Sequence, residues 1–279
     1  MYKSAPHTRN ARYTSIIVTY NSENEITGLL TDLLRSRDNQ PVIVIDNASQ
    51  DGTVRLIKEK FPQVLLIKNE TDVGYARAVN QGFKLCDTDY FFLLNPDIRI
   101  PNAKVTGSLL DVIQKQPNIS AVAPLQFKTQ DQKRNLTLTW SYWTPKAFTL
   151  FLFSILKLGS TYQGPIPVTY LNAGCLFIRS SAFKHVGMFN EKYHLYGEEP
   201  DLFLKFKRFN YRCLLLPAVH VIHQRESSMK SLSNREYLAI KMQGSANIMD
   251  AFITGWINII RDQFFRKIPN WLFNQNSNG

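Results

Sequence analysis

Three apolar runs along this chain each end in a short polar cluster. SIIVTY leads into Asn21, PVIVID into Asn47, and YFFLL into Asn95-Pro96-Asp97. Runs of this length, with no polar alternation, read as strands buried on both faces. Between them lie helical patterns. Ile26, Leu29, Leu30, Leu33 and Leu34 recur at helical spacing behind a Ser22/Glu25 pair with the spacing of a capping box. Asp51-Gly52 makes a turn before a short helix to about Lys60, and 64–67 is a further strand. Helices follow from Tyr75 to Leu85 and from Pro101 to Gln116, with a strand at 120–123. Repetition of strand, helix and strand predicts a parallel sheet with right-handed crossovers.

The pattern degrades between Gln126 and Pro167, which hold Trp140, Trp143 and the run AFTLFLFSILKL. That run is too short for a bilayer and reads either as a core helix or as a piece dipping into a membrane interface. Regularity returns with a strand over 168–178, a helix from Ser180, and a helix over Pro200–Phe209 carrying Leu202, Phe203 and Phe206 inward. Strands at 211–216 and 218–222 close the domain. In the tail, 234–273, Phe252, Trp256, Ile259, Ile260, Phe264 and Phe265 alternate with Arg261, Arg266 and Lys267. Aromatic residues beside basic ones suit the headgroup region of an anionic bilayer; the alternative is a helix packed on the domain. Residues 1–13 form a loose basic arm.

Composition narrows the classes. The 279 residues suffice for one large domain or one domain with an appendage, and 44% hydrophobic content permits a real core. The net charge of +11 suits nucleic acid, anionic lipid or a phosphorylated substrate. Cys86, Cys175 and Cys213 are scattered without metal spacing and read as reduced thiols, which fits a cytosolic compartment. The N-terminus lacks the apolar core of a signal peptide, and no run reaches the roughly 18 apolar residues of a spanning helix.

Ligands of an open α/β sheet bind beyond the carboxyl ends of its strands. If the three apolar strands are neighbours, Asp46, Asn47, Asn95 and Asp97 crowd one rim, where they suit a divalent cation and a nucleoside diphosphate. Each cluster has a plainer reading. Asn-Pro-Asp is turn-forming, and Ser49 and Asp51 could simply cap a helix. In Gly74–Gly82, Arg77 could meet a phosphate and Asn80 a ribose or base, or small residues there could serve packing. Gly197-Glu198-Glu199-Pro200-Asp201 gathers carboxylates at a helix mouth, partly as caps and with one acid to spare as a general base. His223, beyond a strand, is a candidate metal ligand, and Arg225, Ser227 and Ser228 could contact a leaving phosphate.

Taken in order, these segments resemble the family-2 glycosyltransferases of GT-A fold, especially the bacterial branch with rhamnosyltransferases of surface-polysaccharide assembly. SIIVTYN, VIDNASQDGT, NETDVGYARAVNQGF, YFFLLNPDI, LNAGCLFIRSSAFKHVGMFNEKYHLYGEEPDLFLK and VIHQRESS carry the resemblance, over about residues 14–228. It implies a Rossmann-like, mostly parallel sheet flanked by helices over 14–228; the tail, 229–279, is read from its own residues as helical and as a candidate for membrane association. The resemblance implies that Asp46 reads the donor base, that Thr19, Tyr20 and Asn21 line that pocket, and that Asn47, Arg77, Asn80 and Asn95 hold the nucleotide sugar. Asp97 would bind Mg²⁺ or Mn²⁺, with His223 as second ligand. Glu199 stands where the family has the Asp of a Glu-Asp pair, the usual base, and the choice between Glu198 and Glu199 stays open. Asn95 replaces an acid. Gly174, Asp201 and Arg225 fall on the acceptor and phosphate side.

The implied reaction is inverting transfer from dTDP-rhamnose or a UDP-hexose to a saccharide acceptor, polyprenyl-pyrophosphate-linked, at the inner face of the cell membrane. A sugar-nucleotide nucleotidyltransferase would need a Gly-rich basic loop after the first strand, which VTYNSENE lacks. A non-catalytic scaffold of an assembly complex is the other alternative. No GxGxxG follows the first strand, which argues against a nicotinamide enzyme. Nucleic acid would explain the charge but not the acidic rim.

Overall fold

The structure, a computed structural model, describes residues 12–35, 40–127, 164–224 and 234–266. The arm before residue 12, the segment with Trp140, Trp143 and AFTLFLFSILKL, and Arg225, Ser227 and Ser228 lie outside the described residues. So do Lys267 and the side chains of 260–266.

The predicted strands form where the apolar runs stand: β1 (Tyr13–Thr19), β2 (Val42–Asp46), β3 (Leu65–Lys68) and β4 (Tyr90–Leu94). They lie side by side and parallel, in the order β3-β2-β1-β4. Alternation along each strand feeds two cores. Ile16, Ile43, Ile45, Phe91 and Leu93 face one layer, and Ile17, Val42, Val44, Phe92 and Leu94 the other. Helices α1 (Glu23–Leu34), α2 (Thr53–Lys60) and α4 (Lys104–Gln114) cover the second layer through Leu29, Leu30, Ile57, Leu109 and Ile113. Helix α3 (Tyr75–Lys84) covers the first. It approaches closely because Gly82 has no side chain; a Cβ there would stand 2.7 Å from Ile16 Cγ2.

Beyond β4 the sheet departs from the all-parallel expectation. Strand β8 (Cys175–Arg179) runs antiparallel to both β4 and β6 (Ile119–Phe127). Strand β9 (Arg212–His223) is parallel to β6, while the short β5 (Ile98–Arg99) and β7 (Ile166–Val168) pair antiparallel with β9. The result is a nine-stranded mixed sheet. The expected strand over 168–178 is two strands, with a loop at 169–174 between them. The two strands expected over 211–222 are one, bulged where the partners shift from Pro124/Leu216 to Leu125/His220.

Helix α5 (Ser180–His185) and α6 (Glu198–Arg208) complete the domain. Helix α6 opens at Glu198 rather than Pro200, because Gly197 adopts φ +93° and turns the chain into the helix there. The tail is α7 (Asn234–Arg266). The capping box does not form. The Ser22 hydroxyl donates to the Tyr20 carbonyl (3.1 Å), and α1 is instead tied to the β2–α2 turn. There Glu23 N–H donates to Asp51 (3.1 Å) and Gly52 N–H donates to Glu23 (3.0 Å).

Candidate active site

Parallel pairing puts Thr19, the last residue of β1, opposite Asp46, the last of β2. The Asp46 carboxylate is fully buried. It accepts from the Thr19 hydroxyl (3.0 Å), the Ser49 hydroxyl (2.6 Å) and Ser49 N–H (3.0 Å). The chain turns sharply after both strands, with positive φ at Asn21 (48°) and Ala48 (66°). Asn21 closes the corner by donating its N–H to the Ser49 hydroxyl and accepting Gln50 N–H. Tyr20 is exposed above this rim. Asn47 bridges outward, donating to Asp72 (2.6 Å) and accepting from Asn69 (3.0 Å), which fixes the loop ahead of α3.

Arg77 and Asn80, read from the sequence as nucleotide contacts, are engaged by a protein segment away from this rim. The Asn80 side chain is buried and donates to the Phe189 carbonyl and to Glu191 (both 3.0 Å), while its oxygen accepts Phe189 N–H (3.2 Å). Arg77 pairs with the same Glu191 at 3.0 Å. Both residues bolt segment 189–191 onto α3, and that role uses every polar atom of the Asn80 amide. Asp201 also turns elsewhere, to Lys205 one turn along α6 at 2.7 Å.

Asn95, Asp97 and His223 do come together. Pairing of β5 with β9 sets Ile98 opposite His223, so the buried Asp97 and His223 side chains meet, with Oδ1 and Nε2 3.3 Å apart. The imidazole tautomer follows from its other neighbour. Gln126 donates its amide N–H to the Asn172 carbonyl (3.4 Å), which leaves its oxygen to accept from His223 Nδ1 (2.8 Å). Nε2 then faces a carboxylate oxygen, and a proton or a metal cation between them satisfies both. One carboxylate, one imidazole and an outer amide that fixes the ring are donors a divalent cation accepts. No group of three or more His, Cys, Asp or Glu forms a metal cluster among the described residues. Such a cation would therefore need further ligands from outside these residues.

The acid pair is tied to this group through loop 169–174. Glu199 accepts Ala173 N–H (3.0 Å) on one oxygen and the Tyr170 hydroxyl on the other. Glu198 is buried, and its Oε2 has no hydrogen-bond partner. Burial first, and then the charge of Glu199, push its carboxyl well above the usual range. Loop 169–174 joins the two halves. Ala173 holds Glu199, the Gly174 carbonyl accepts Asn95 N–H (2.9 Å), and Gly174 packs on His223, where a Cβ would stand 2.4 Å from Cε1. Tyr75, whose hydroxyl reaches Asn95 (3.4 Å), lies among all three acids. Burial and then the charges of Glu199, Glu198 and Asp97 drive its phenol up.

Tyr75, Tyr170, Gln126 and Asn172 were not read from the sequence. The one available signal was a polar Gln126 closing an otherwise apolar strand. Beside the rim, a cavity of about 550 Å³ opens among Ser49, Gln50, Arg55, Lys58 and Lys68. It touches the rim only through the β2–α2 turn.

Comparison with known proteins follows the same lines. The family model described as Glycosyl transferase family 2 matches residues 14–187. An N-acetylglucosaminyl-diphospho-decaprenol L-rhamnosyltransferase of Mycobacterium tuberculosis is 25% identical over 238 residues, covering 76% of each chain. The rhamnosyltransferase WbbL of Escherichia coli is 23% identical over 240 residues, covering 80% of this chain and 87% of that one. The mannosyltransferase PcManGT of Pyrobaculum calidifontis, solved with GDP-Man and Mn²⁺, superposes with a TM-score of 0.61 at 18% identity. That alignment covers 88% of this chain but only 64% of the longer mannosyltransferase, and it shows the shared fold. With its family match over most of the sheet and its GT-A architecture, this chain belongs to glycosyl transferase family 2.

Proposed function

We propose that the chain transfers a sugar, with inversion, from dTDP-rhamnose or a UDP-hexose to a hydroxyl of a polyprenyl-pyrophosphate-linked saccharide. The observation that carries the reading is the bridge at 172–174, which links the carboxylate of Glu199 to the Asp97–His223 pair. Two relatives are rhamnosyltransferases by name, and one of them acts on a decaprenol diphosphate carrier.

Asp46 and its Thr19–Ser49 frame receive the donor base, with Tyr20 and Asn21 beside it and Asn47 and Asn95 fixing the surrounding loops. Glu199 is the base. Its two fixed oxygens present a carboxylate to the acceptor hydroxyl and take the proton as the O–H bond breaks. The freed oxygen attacks the anomeric carbon from the face opposite the diphosphate, which departs with the bonding electrons, so one displacement inverts the centre. Glu198, raised by burial, stays protonated near neutral pH and leaves the role of base to its neighbour. Mg²⁺ or Mn²⁺ held by Asp97 and His223 would offset the charge gathering on the departing diphosphate.

The catalytic unit spans 14–228 and the tail 229–279. No helix among the described residues is long and apolar enough to cross a membrane. With a lipid-linked acceptor, we infer that the chain works peripherally on the inner face of the cell membrane. The test is a donor panel with purified protein and polyprenyl-pyrophosphate sugar acceptors, with and without chelator. Acceptor-dependent release of nucleoside diphosphate, abolished by chelator and restored by Mn²⁺, is expected. Absence of release with every donor would favour a scaffold instead.

A further inference from the structure

The tail helix α7 packs one face on the domain, and among the described residues nothing covers the other. On its inner face, small residues let it close on the domain. Ala251 is buried, a Cβ at Gly244 would meet Tyr196 at 2.4 Å, and one at Gly255 would meet Leu204 at 2.4 Å. Asn247 donates to the Leu195 carbonyl (3.0 Å), and Asp250 accepts from the Tyr193 hydroxyl (2.7 Å) and pairs with Lys192 (2.8 Å). These contacts clamp 192–197, the segment that leads into the acid pair.

The opposite face carries Met242, Ala246, Met249, Ile253, Trp256 and Ile257, all exposed; Met242 is 74% and Met249 61% accessible. At ~3.6 residues per turn these positions share one arc, and with Ile248 and Phe252 beside them it takes in roughly half the circumference over about 23 Å of helix. Asp250 is the only charged residue between Met242 and Ile257, and it is turned to Lys192.

We propose that this outer face is a contact surface for an anionic bilayer. Width and charge select the occupant. A partner helix needs a narrow two-per-heptad seam, whereas this arc is broad, and its edges carry Lys207 on one side and the Lys192–Asp250 pair on the other. A bilayer accepts a broad apolar face and prefers Met, Ile and Trp at its interface with basic groups behind them. Lys207 supplies such a group at the edge, its ammonium 4.2 Å from the Trp256 ring centroid, and the chain as a whole carries +11. Because the inner face clamps 192–197, seating α7 on lipid fixes the height of Glu198 and Glu199 above the headgroups. This deepens the lipid-linked acceptor reading and rests on it.

The test is flotation of the full chain with vesicles of phosphatidylcholine alone and of phosphatidylcholine with phosphatidylglycerol. The full chain is needed, because removing the tail would also unclamp 192–197. The wild type should float with the anionic vesicles, and M249Q/I253Q should lose about tenfold or more of that binding with its melting temperature kept. M242S/I257S should behave alike and serves if the first variant fails to fold. Equal flotation of wild type and variants, or no flotation of the wild type, would overturn the proposal. So would a wild-type dimer that the variants convert to monomer in light scattering, since a second copy would then cover the face. The vesicles hold no donor or acceptor, so a negative result leaves the sugar-transfer reading to its own assay.

Discussion

Two parts of the candidate site are built differently. At the β1–β2 rim, Thr19, Asp46 and Ser49 bond to one another within the reach of two adjacent strand ends, and Asn21 and Asn47 tie the flanking loops. Around Glu199 and His223, the polar groups come from distant parts of the chain. Tyr170 and Ala173 hold Glu199, Gln126 and Asn172 set His223, and the tail helix backs the approach to α6. One oxygen of Glu198 is left buried without a partner, an arrangement that typically costs about 1–3 kcal/mol. The rim is a local frame whose polar groups satisfy one another. Helix α6 opens with an acid that lacks a partner on one oxygen beside an acid bonded on both, and on the proposed mechanism the first holds a proton and the second accepts one.

The largest effect should come from the fixed acid. Glu199→Gln should lower the transfer rate by ~10²–10⁴-fold while leaving donor affinity within a small factor, measured by steady-state rates beside calorimetry. Tyr170→Phe, which removes the hydroxyl bond to that carboxylate, should fall between wild type and Glu199→Gln. A variant at Glu199 with near-normal turnover would erase the distinction between the two parts.

Smaller, and specific to the other acid, is a pH effect on stability. The folded state holds the Glu198 proton above its unfolded pKa of about 4.3. Its contribution is therefore fully present below that value and is lost as pH rises through the raised folded pKa. The melting temperature should decline from pH 5 toward alkaline pH, and Glu198→Gln should flatten the decline and lift its upper end. Identical melting profiles for wild type and variant would mean that Glu198 titrates as an ordinary surface acid.

The same contrast governs what the sequence revealed. Strands β1, β2 and β4 and their terminal polar residues were legible because a doubly buried strand must be apolar throughout and its ligand-facing end must not be. The meeting of Asp97 with His223 was legible through the order of the motifs. Strand direction was not, since YFFLL and CLFIR look alike whether parallel or antiparallel. The β9 bulge left no mark, and the Ser22/Glu25 spacing was overruled by a closer partner in the β2–α2 turn. Arg77 and Asn80 carried the right chemistry for a ligand but face a protein segment 109 and more residues away. Tyr170 and Gln126 act only through contacts that local pattern cannot report.

The central claim is that one cleft holds a cation-bound diphosphate on one wall and the accepting carboxylate on the other. A crystal structure with Mn²⁺ and a nucleoside diphosphate, with manganese located by anomalous scattering, tests it most directly. The account predicts manganese between Asp97 and His223 Nε2, with the diphosphate completing its shell, the base against Asp46, and Glu199 facing the open side of the diphosphate. Manganese bound away from this pair, or a nucleotide seated outside the Thr19–Asp46 rim, would contradict it.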